Sequence, residues 1–275
     1  MTSQADPLPG ALRDHGAEAR LARTLAGCRI GHPVHAFAAV GSTMEAAHAL
    51  AADGAPDGTL VVAARQEQGR GRRGRAWVSP DGGLYCSFIL RPQRPPSDLP
   101  QLSLVAGLAA AEAVRDAACL SPMIRWPNDL LLGDRKLAGI LTEQKVPGTF
   151  GDRQGAVVVG VGINVSTDPA MLPDHSTSLA AAGVGHVSPD DVLSRLCSRL
   201  AAWYDVWTSQ GFGPVRDALR PWIGLFGRPV HLTAGTRQLD GTAQDIDEQG
   251  RLVVRLDSGL TRAFDAGEIT VLRSA

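Results

Sequence analysis

Chemistry is most concentrated between Gln66 and Trp77, QEQGRGRRGRAW, where three glycines and four arginines fall within the seven residues Gly69 to Arg75. A glycine-rich backbone can wrap closely round a ligand and aim several N–H groups at it. Guanidinium groups add fixed forks for carboxylate and phosphate oxygens. The same composition also suits a flexible basic surface loop that touches RNA or nothing. Read as G-x-G-x-x-G, Gly69, Gly71 and Gly74 make a poor dinucleotide fingerprint, because arginines fill every intervening position and no clear βαβ unit follows.

A second group is Trp126-Pro127-Asn128-Asp129 followed by Lys136 to Leu141, KLAGIL. Asn128 and Asp129 are common shapers of a turn into a strand. Lys136 reads either as a solvated lysine at a hairpin end or as a strand-anchored cation facing a phosphate or carboxylate. Gly139, inside the strand, implies that something approaches the backbone closely. The third group is Gly160-Val161-Gly162-Ile163-Asn164. The two glycines leave one sheet face bare for a ligand, and Asn164 either caps the following loop or faces a purine at the strand's carboxyl end. Ser42 and Thr43 open a helix, with Ser42 and Glu45 at capping-box spacing; free N–H groups and two hydroxyls there would also suit a small polar ligand.

Other chemistries lack their signatures. The seven histidines show no H-x-x-x-H or H-E-x-x-H spacing, and no G-x-S-x-G elbow frames a serine. Cys28, Cys86, Cys119 and Cys197 form no CxxC pair, so neither a zinc cluster nor a disulfide framework is expected. No metal site built from protein groups alone is predicted.

The elements that must position these residues follow from periodicity and punctuation. Arg13 to Leu25 suits a helix. Ser42 to about Asp53 is a second, stopped by Gly54. Thr59 to Arg65 and Leu84 to Leu90 read as strands, and Leu102 to about Cys119 as an Ala- and Leu-rich helix. Pro127 holds Trp126 extended. Asp129 to Leu132, a Gly133-Asp134 turn and Lys136 to Glu143 make a hairpin. Ala156 to Val165 is apolar enough for a central strand covered on both faces. A loop with two prolines, Ser166 to Ser178, follows. Ser188 caps a long helix with Pro189 at its first position, Val192, Leu196, Leu200, Trp203 and Trp207 along its apolar face, and Gly211 at its end; a short helix spans about Val215 to Leu219. From Gly227, alternating runs such as Val230/Leu232, Leu252/Val254/Leu256 and Ile269/Val271 predict a small β-barrel. The chain is thus α+β with a mixed sheet rather than a Rossmann fold.

With 275 residues, 44% hydrophobic and 20% charged, it is too apolar for disorder and large enough for a substantial core. A net charge of −1 gives no global basic field for nucleic acid or anionic lipid. Met1 to Arg20 lacks the apolar core of a signal peptide, and Leu102 to Val114 falls short of the roughly 20 residues of a membrane span. A cytoplasmic protein with reduced thiols and no membrane partner is expected.

GRGRRGRAW, WPNDLLL, DRKLAGIL and GVGINV, in that order, resemble the biotin protein ligases, and the likeness runs from about Gly41 to the end, where AQDIDEQGRLVVRL (Ala243 to Leu256) is similar to the family's SH3-like end domain. The resemblance implies a class-II-synthetase-like mixed sheet flanked by helices, then a small SH3-like β-barrel. The implied boundaries are an extension over 1–33, a catalytic domain over 34–224 and the end domain over 225–275. It implies that biotin and ATP form biotinyl-5′-AMP, with Mg²⁺ on the phosphates, and that the biotinyl group passes to a lysine of a biotin carboxyl carrier domain. Ser42, Thr43, Gln66, Gly69, Arg70, Gly71, Arg72, Lys136 and Gly139 match the biotin-binding positions. Arg72, Arg75, Trp77, Asn128, Lys136 and Asn164 match positions near the nucleotide, and the 166–178 loop matches the segment that orders over the adenine. Lys136 and Arg72 are the candidates for stabilising the transferring phosphorus, and Asp129 for positioning or deprotonating the acceptor lysine. Met44 departs from the family, which often has Asn there. Residues 1–33 are too short for the DNA-binding domain of some members, so a type without it, monomeric or homodimeric and with no DNA partner, is expected. Lipoate ligases and octanoyl transferases, which also acylate a carrier lysine, are the rival enzymes; a nucleic-acid binder using the basic loop is the non-enzymatic rival.

Overall fold

The protein is described here by a computed structural model covering residues 10–146, 155–234, 237–265 and 269–273; the first nine residues of the polar N-terminus fall outside it. In chain order the elements are β1 (Leu12–Arg13), α1 (His15–Thr24), β2 (Val34–Val40), α2 (Thr43–Ala52), β3 (Thr59–Gln66), β4 (Gly83–Leu90), α3 (Leu102–Ala118), β5 (Met123–Arg125), β6 (Asp129–Leu132), β7 (Arg135–Val146), β8 (Ala156–Asn164), α4 (Pro189–Gln210), α5 (Phe212–Leu219), β9 (Pro229–Ala234), β10 (Arg237–Ile246), β11 (Leu252–Leu256), β12 (Thr261–Phe264) and β13 (Ile269–Arg273).

Eight strands make one sheet in the order β1-β2-β3-β4-β8-β7-β6-β5. β2 and β3 run parallel; the other described pairs are antiparallel, which gives the expected mixed sheet and α+β class. β8 lies between β4 and β7 and is covered on both faces. Val157, Val159, Val161 and Ile163 join the large core beneath α3 and α4, whereas Val158 joins a smaller core with Phe37, Met44, Ala47 and Val61 on the α2 side. The period-2 alternation of a strand therefore puts Gly160 and Gly162 on the α2 face. Two hydrophobic faces on one sheet each need a cover, and α2 covers only part of its side. The arginine loop occupies the remainder.

Residues 10–25 add to this sheet. Leu12 and Arg13 pair with β2, Asp14 N donates to Ala36 O at 2.9 Å, and Asp14 caps α1 through Ala17 N. α4 begins as its sequence indicates, with Ser188 and Asp191 forming a reciprocal capping box and Pro189 at the first position. Trp207 is fully buried and donates Nε1 to Gln101 Oε1 at 2.7 Å; Trp203 is only part-buried and donates Nε1 to the buried Glu112 of α3 at 2.8 Å. The short helix before the end domain starts earlier than expected, at Phe212, because Gly211 (φ 80°) ends α4 and serves as the N-cap of α5.

The end domain is a five-stranded antiparallel sheet in the order β12-β11-β10-β9-β13, with Val230, Leu232, Ala243, Ile246, Leu252, Val254 and Phe264 buried inside it. It is the SH3-like domain expected. Trp126 Nε1 donates to Gly250 O at 3.1 Å and Gln101 Nε2 to Glu248 O at 3.2 Å, so the WPND segment and the start of α3 are tied to it. No helix among the described residues is long and apolar enough to cross a membrane.

Candidate active site

The capping box read at Ser42 and Glu45 does not form. Gln66, at the end of β3, replaces it: its Oε1 accepts from both Thr43 N (2.8 Å) and Thr43 Oγ1 (3.0 Å), and its Nε2 donates to Ser79 Oγ. A side chain 23 positions away thus satisfies a donor at the start of α2. Ser42 Oγ is left buried, with the residue 1% exposed, and has no hydrogen-bond partner among the described residues. A buried hydroxyl without a partner is costly unless a ligand supplies one.

The arginine loop leaves β3 after Gln66 and closes on itself. Gly71 N donates to Arg75 O at 2.7 Å and Trp77 N to Gly69 O at 2.8 Å. Gly69 is required for this closure, since a Cβ there would sit 2.3 Å from Trp77 O. Arg73 takes a left-handed conformation (φ 57°) at the exposed tip. Two hooks bind the loop to the body: Arg70 Nη2 donates to Glu143 Oε1 at 3.0 Å, and Arg72 Nη1 to Asn128 Oδ1 at 3.0 Å. Asn128 is itself fixed by Nδ2 to Ile140 O at 3.0 Å and by its own carbonyl, which accepts from Ile140 N. Burial, with Arg73 next to it, pushes the Arg72 guanidinium below the ordinary arginine range, while Asp129 opposes that shift.

Lys136 Nζ lies 2.7 Å from Asp129 Oδ1, and Arg125 Nη2 is 2.5 Å from Asp129 Oδ2. The same ammonium sits 5.2 Å from the centre of the Trp77 ring. Lys136 is therefore no solvated hairpin lysine; a carboxylate and an aromatic face hold it in place. Its backbone is pinned as well, with Lys136 N donating to His175 O at 2.7 Å and Lys136 O accepting from Thr177 N at 2.9 Å, which draws the 166–178 loop alongside.

The bare face expected at Gly160 and Gly162 is filled by the protein's own side chains, and the close approach expected at Gly139 is made by the Trp77 ring. A Cβ at Gly162 would fall 2.5 Å from Trp77 Nε1, one at Gly139 3.0 Å from Trp77 Cζ3, and one at Gly160 2.5 Å from Met44 Sδ. The glycines make room for an indole and a thioether, and these form the surface that a ligand would meet. Trp77 Nε1 is buried without a partner among the described residues.

Two cavities result. The first, of about 120 Å³, is lined by Thr43, Met44, Gln66, Arg70, Gly71, Arg72, Arg75, Asn128, Gly139 and Leu141, with Cys86, Gly160, Val161 and Gly162 behind. The second, of about 240 Å³, is lined by Val78, Arg125, Asp134, Asn164 and the stretch Leu172 to Ser176. Ala76, Trp77 and Lys136 belong to both. Asn164 is 2% exposed; its Nδ2 donates to Thr177 O at 2.9 Å and its Oδ1 has no partner among the described residues. Ser42 and Gly69 adjoin the first cavity without lining it. Arg72, Arg75 and Asn128 line the first cavity rather than the second. Reading by motif missed Cys86 and Arg125, which lie in generic strands, and reached His175 and Ser176 only as part of the 166–178 loop.

Residues 37–164 match the biotin/lipoate A/B protein ligase family, and residues 225–272 the biotin protein ligase C terminal domain. Over 230 residues the chain is 34% identical to the bifunctional ligase/repressor BirA of Bacillus subtilis, covering 82% of this chain and 70% of that protein. It is 36% identical over 217 residues to the biotin--[acetyl-CoA-carboxylase] ligase of Paracoccus denitrificans, covering 76% of this chain and 88% of the relative. Among solved structures, the biotin protein ligase from Aquifex aeolicus in complex with biotin and ATP aligns with a TM-score of 0.75 at 29% identity, over 88% of this chain and 99% of that one.

Proposed function

The chain belongs to the biotin protein ligases, and from that premise we propose how its two adjoining cavities divide the reaction. The enzyme is an ATP-dependent ligase that joins biotin to ATP as biotinyl-5′-AMP and then to protein lysine. The first cavity is assigned to biotin. Ser42, Thr43 and Gln66 supply polar contacts at the start of α2, Met44, Leu141 and Trp77 supply apolar ones, and Gly69, Arg70, Gly71 and Gly139 shape the enclosure. The second cavity is assigned to the nucleotide, with Asn164 Oδ1 free to accept from a purine amine and Trp77 at the shared wall; Arg72, Arg75 and Asn128 would meet the phosphates from the first cavity's side.

The observation that carries this division is that Lys136 and Trp77 line both cavities. Biotin's carboxylate oxygen must attack the α-phosphorus while pyrophosphate departs. Two unit charges about 4 Å apart repel by roughly 4 kcal/mol at an effective dielectric of 20. A fixed ammonium where the two anions converge offsets that repulsion, most strongly as charge builds in the transition state. Arg72, fastened to Asn128, is the second cation there. Magnesium entering on ATP would neutralise phosphate charge; no group of three metal-ligating side chains exists among the described residues, and the carboxylates available in the second cavity are Asp134 and Asp174, a donor set that fits an ion carried mainly by phosphate and water.

In the transfer step the acceptor ε-amine attacks the acyl carbon and AMP leaves. A lysine with an ordinary pKa of about 10.4 arrives protonated. Asp129 is assigned the positioning of that amine and receipt of its proton, in addition to holding Lys136. The acceptor is a lysine on a biotin carboxyl carrier domain, and the enzyme works in the cytoplasm. Incubation with ATP, biotin and a carrier domain should add one biotinyl mass to the carrier. Lys136→Ala should lower biotin-dependent ATP–pyrophosphate exchange by about 10²- to 10³-fold with the melting transition retained; near-normal exchange would refute the role given to Lys136.

A further inference from the structure

Glu143 lines neither cavity, yet it is a residue of the sheet to which the arginine loop is fastened. It lies on β7 in alternation with Gly139 and Leu141, on the face that carries the first cavity. Its Oε1 accepts from Arg70 Nη2 at 3.0 Å and its Oε2 lies 3.2 Å from His48 Nε2 on α2. Glu45, one turn before His48, has a carboxylate oxygen 3.8 Å from Arg70 Nη1. His48 is 8% exposed, and the Glu143 and Arg70 side chains are 22% and 32% exposed. The loop carries Gly69, Gly71 and Gly74 and so has more conformational freedom to lose on closing than most segments of its length. A partly buried ion pair backed by an imidazole resists screening better than a surface pair.

We infer that Glu143, held by His48, is a positioning residue for the ligase reaction. It latches the Arg70 segment over the first cavity, so that biotin and then biotinyl-5′-AMP are retained. The inference rests on that cavity being the biotin site. Glu143's backbone pairs with Val158 of β8, so the strand does not depend on the carboxylate.

The test measures biotin affinity by calorimetry, KM for biotin and for ATP, and the release rate of preformed biotinyl-5′-AMP. Glu143→Ala should raise KM for biotin and speed release by roughly threefold to tenfold, with KM for ATP little changed. Glu143→Gln, whose amide oxygen still accepts from Arg70, should recover part of the loss. Arg70→Ala combined with Glu143→Ala should release no faster than Arg70→Ala alone. If Glu143 instead competed with biotin's carboxylate for Arg70, Glu143→Ala would bind biotin more tightly; that result, or unchanged release, overturns the latch. Should Glu143→Ala not fold, Glu143→Gln and His48→Gln carry the comparison, each expected to release the adenylate faster than wild type. Absence of biotin binding by the wild-type protein would sink the functional assignment itself, whereas normal wild-type binding with unchanged variants would sink only the latch.

Discussion

Gly162→Ala separates a steric role of the glycine-rich strand from a generic one. The added Cβ would lie 2.5 Å from Trp77 Nε1 and 2.7 Å from Cε2, about 0.9 Å inside ordinary contact. The indole is rigid and has little room to retreat: its backbone N is bonded to Gly69 O, and its far edge already abuts Gly139. Overpacking of this kind costs about 1–3 kcal/mol. Because the same ring forms the wall shared by both cavities, a displacement near 1 Å should also misalign the reacting groups, for which about 10²-fold in rate is a typical penalty. Gly160→Ala provides the control. There the new atom meets Met44 Sδ at 2.5 Å and Cγ at 3.1 Å, parts of a flexible unbranched side chain that can change rotamer, so its stability cost should stay under about 1.5 kcal/mol. Chemical denaturation and biotin-dependent ATP–pyrophosphate exchange would be measured on both variants. Wild-type stability and exchange in Gly162→Ala would show that the glycine is not reserved for the indole and would refute the reasoning.

Arg72→Gly removes the hook to Asn128 and a half-buried cation together, so the adenylate should escape faster and label bystander lysines, detectable by mass spectrometry on an added unrelated protein; labelling confined to the carrier at the normal rate would contradict the enclosure. Ser188→Ala removes the cap of α4 and should cost about 1 kcal/mol in denaturant unfolding. The Ser188 hydroxyl, then its backbone N–H, holds the Asp191 carboxyl below its ordinary range. That contribution is present above the free aspartate pKa of about 3.9 and is lost as pH falls through the lower folded value, so the gap between Ser188→Ala and wild type should narrow in strong acid.

The elements written in local pattern were legible in the sequence. The Ser188 cap and Pro189 start of α4, the buried β8 run and the β6–β7 hairpin each depend on residues a few positions apart. The Arg/Gly loop stood out as chemistry because few structural roles need that combination, whereas Lys136, taken alone, also read as a solvated lysine at a hairpin end. What was not legible depends on distant partners. Ser42 looked like a helix cap because a Ser-x-x-Glu spacing is the usual signal, and only the fold brings Gln66 from β3 to take that work. Gly160 and Gly162 looked like bare surface for a ligand, since nothing local says that Met44 and Trp77 will lie over them. β1 is two residues long and has no periodicity to read. Glu143 carries no motif, and its meaning comes from a contact 73 positions away.

Charge makes the same point about scale. A net charge of −1 argues against a broad nucleic-acid surface, yet the site gathers Arg70, Arg72, Arg75, Arg125 and Lys136 around two adjoining cavities. Most of these cations are already engaged: Arg70 with Glu143, Lys136 and Arg125 with Asp129, and Arg72 with Asn128. Fields between exposed charges fade over about 8–10 Å in physiological salt, so such a cluster is almost invisible to the chain's total. It acts where it is desolvated and fixed. Pairing each cation with a neutral or anionic anchor fixes the donors before substrate arrives, and preorganised donors need no reorientation as charge develops at phosphorus. A looser set of arginines with the same net charge would attract the two anions equally well at long range and do far less to bring them together.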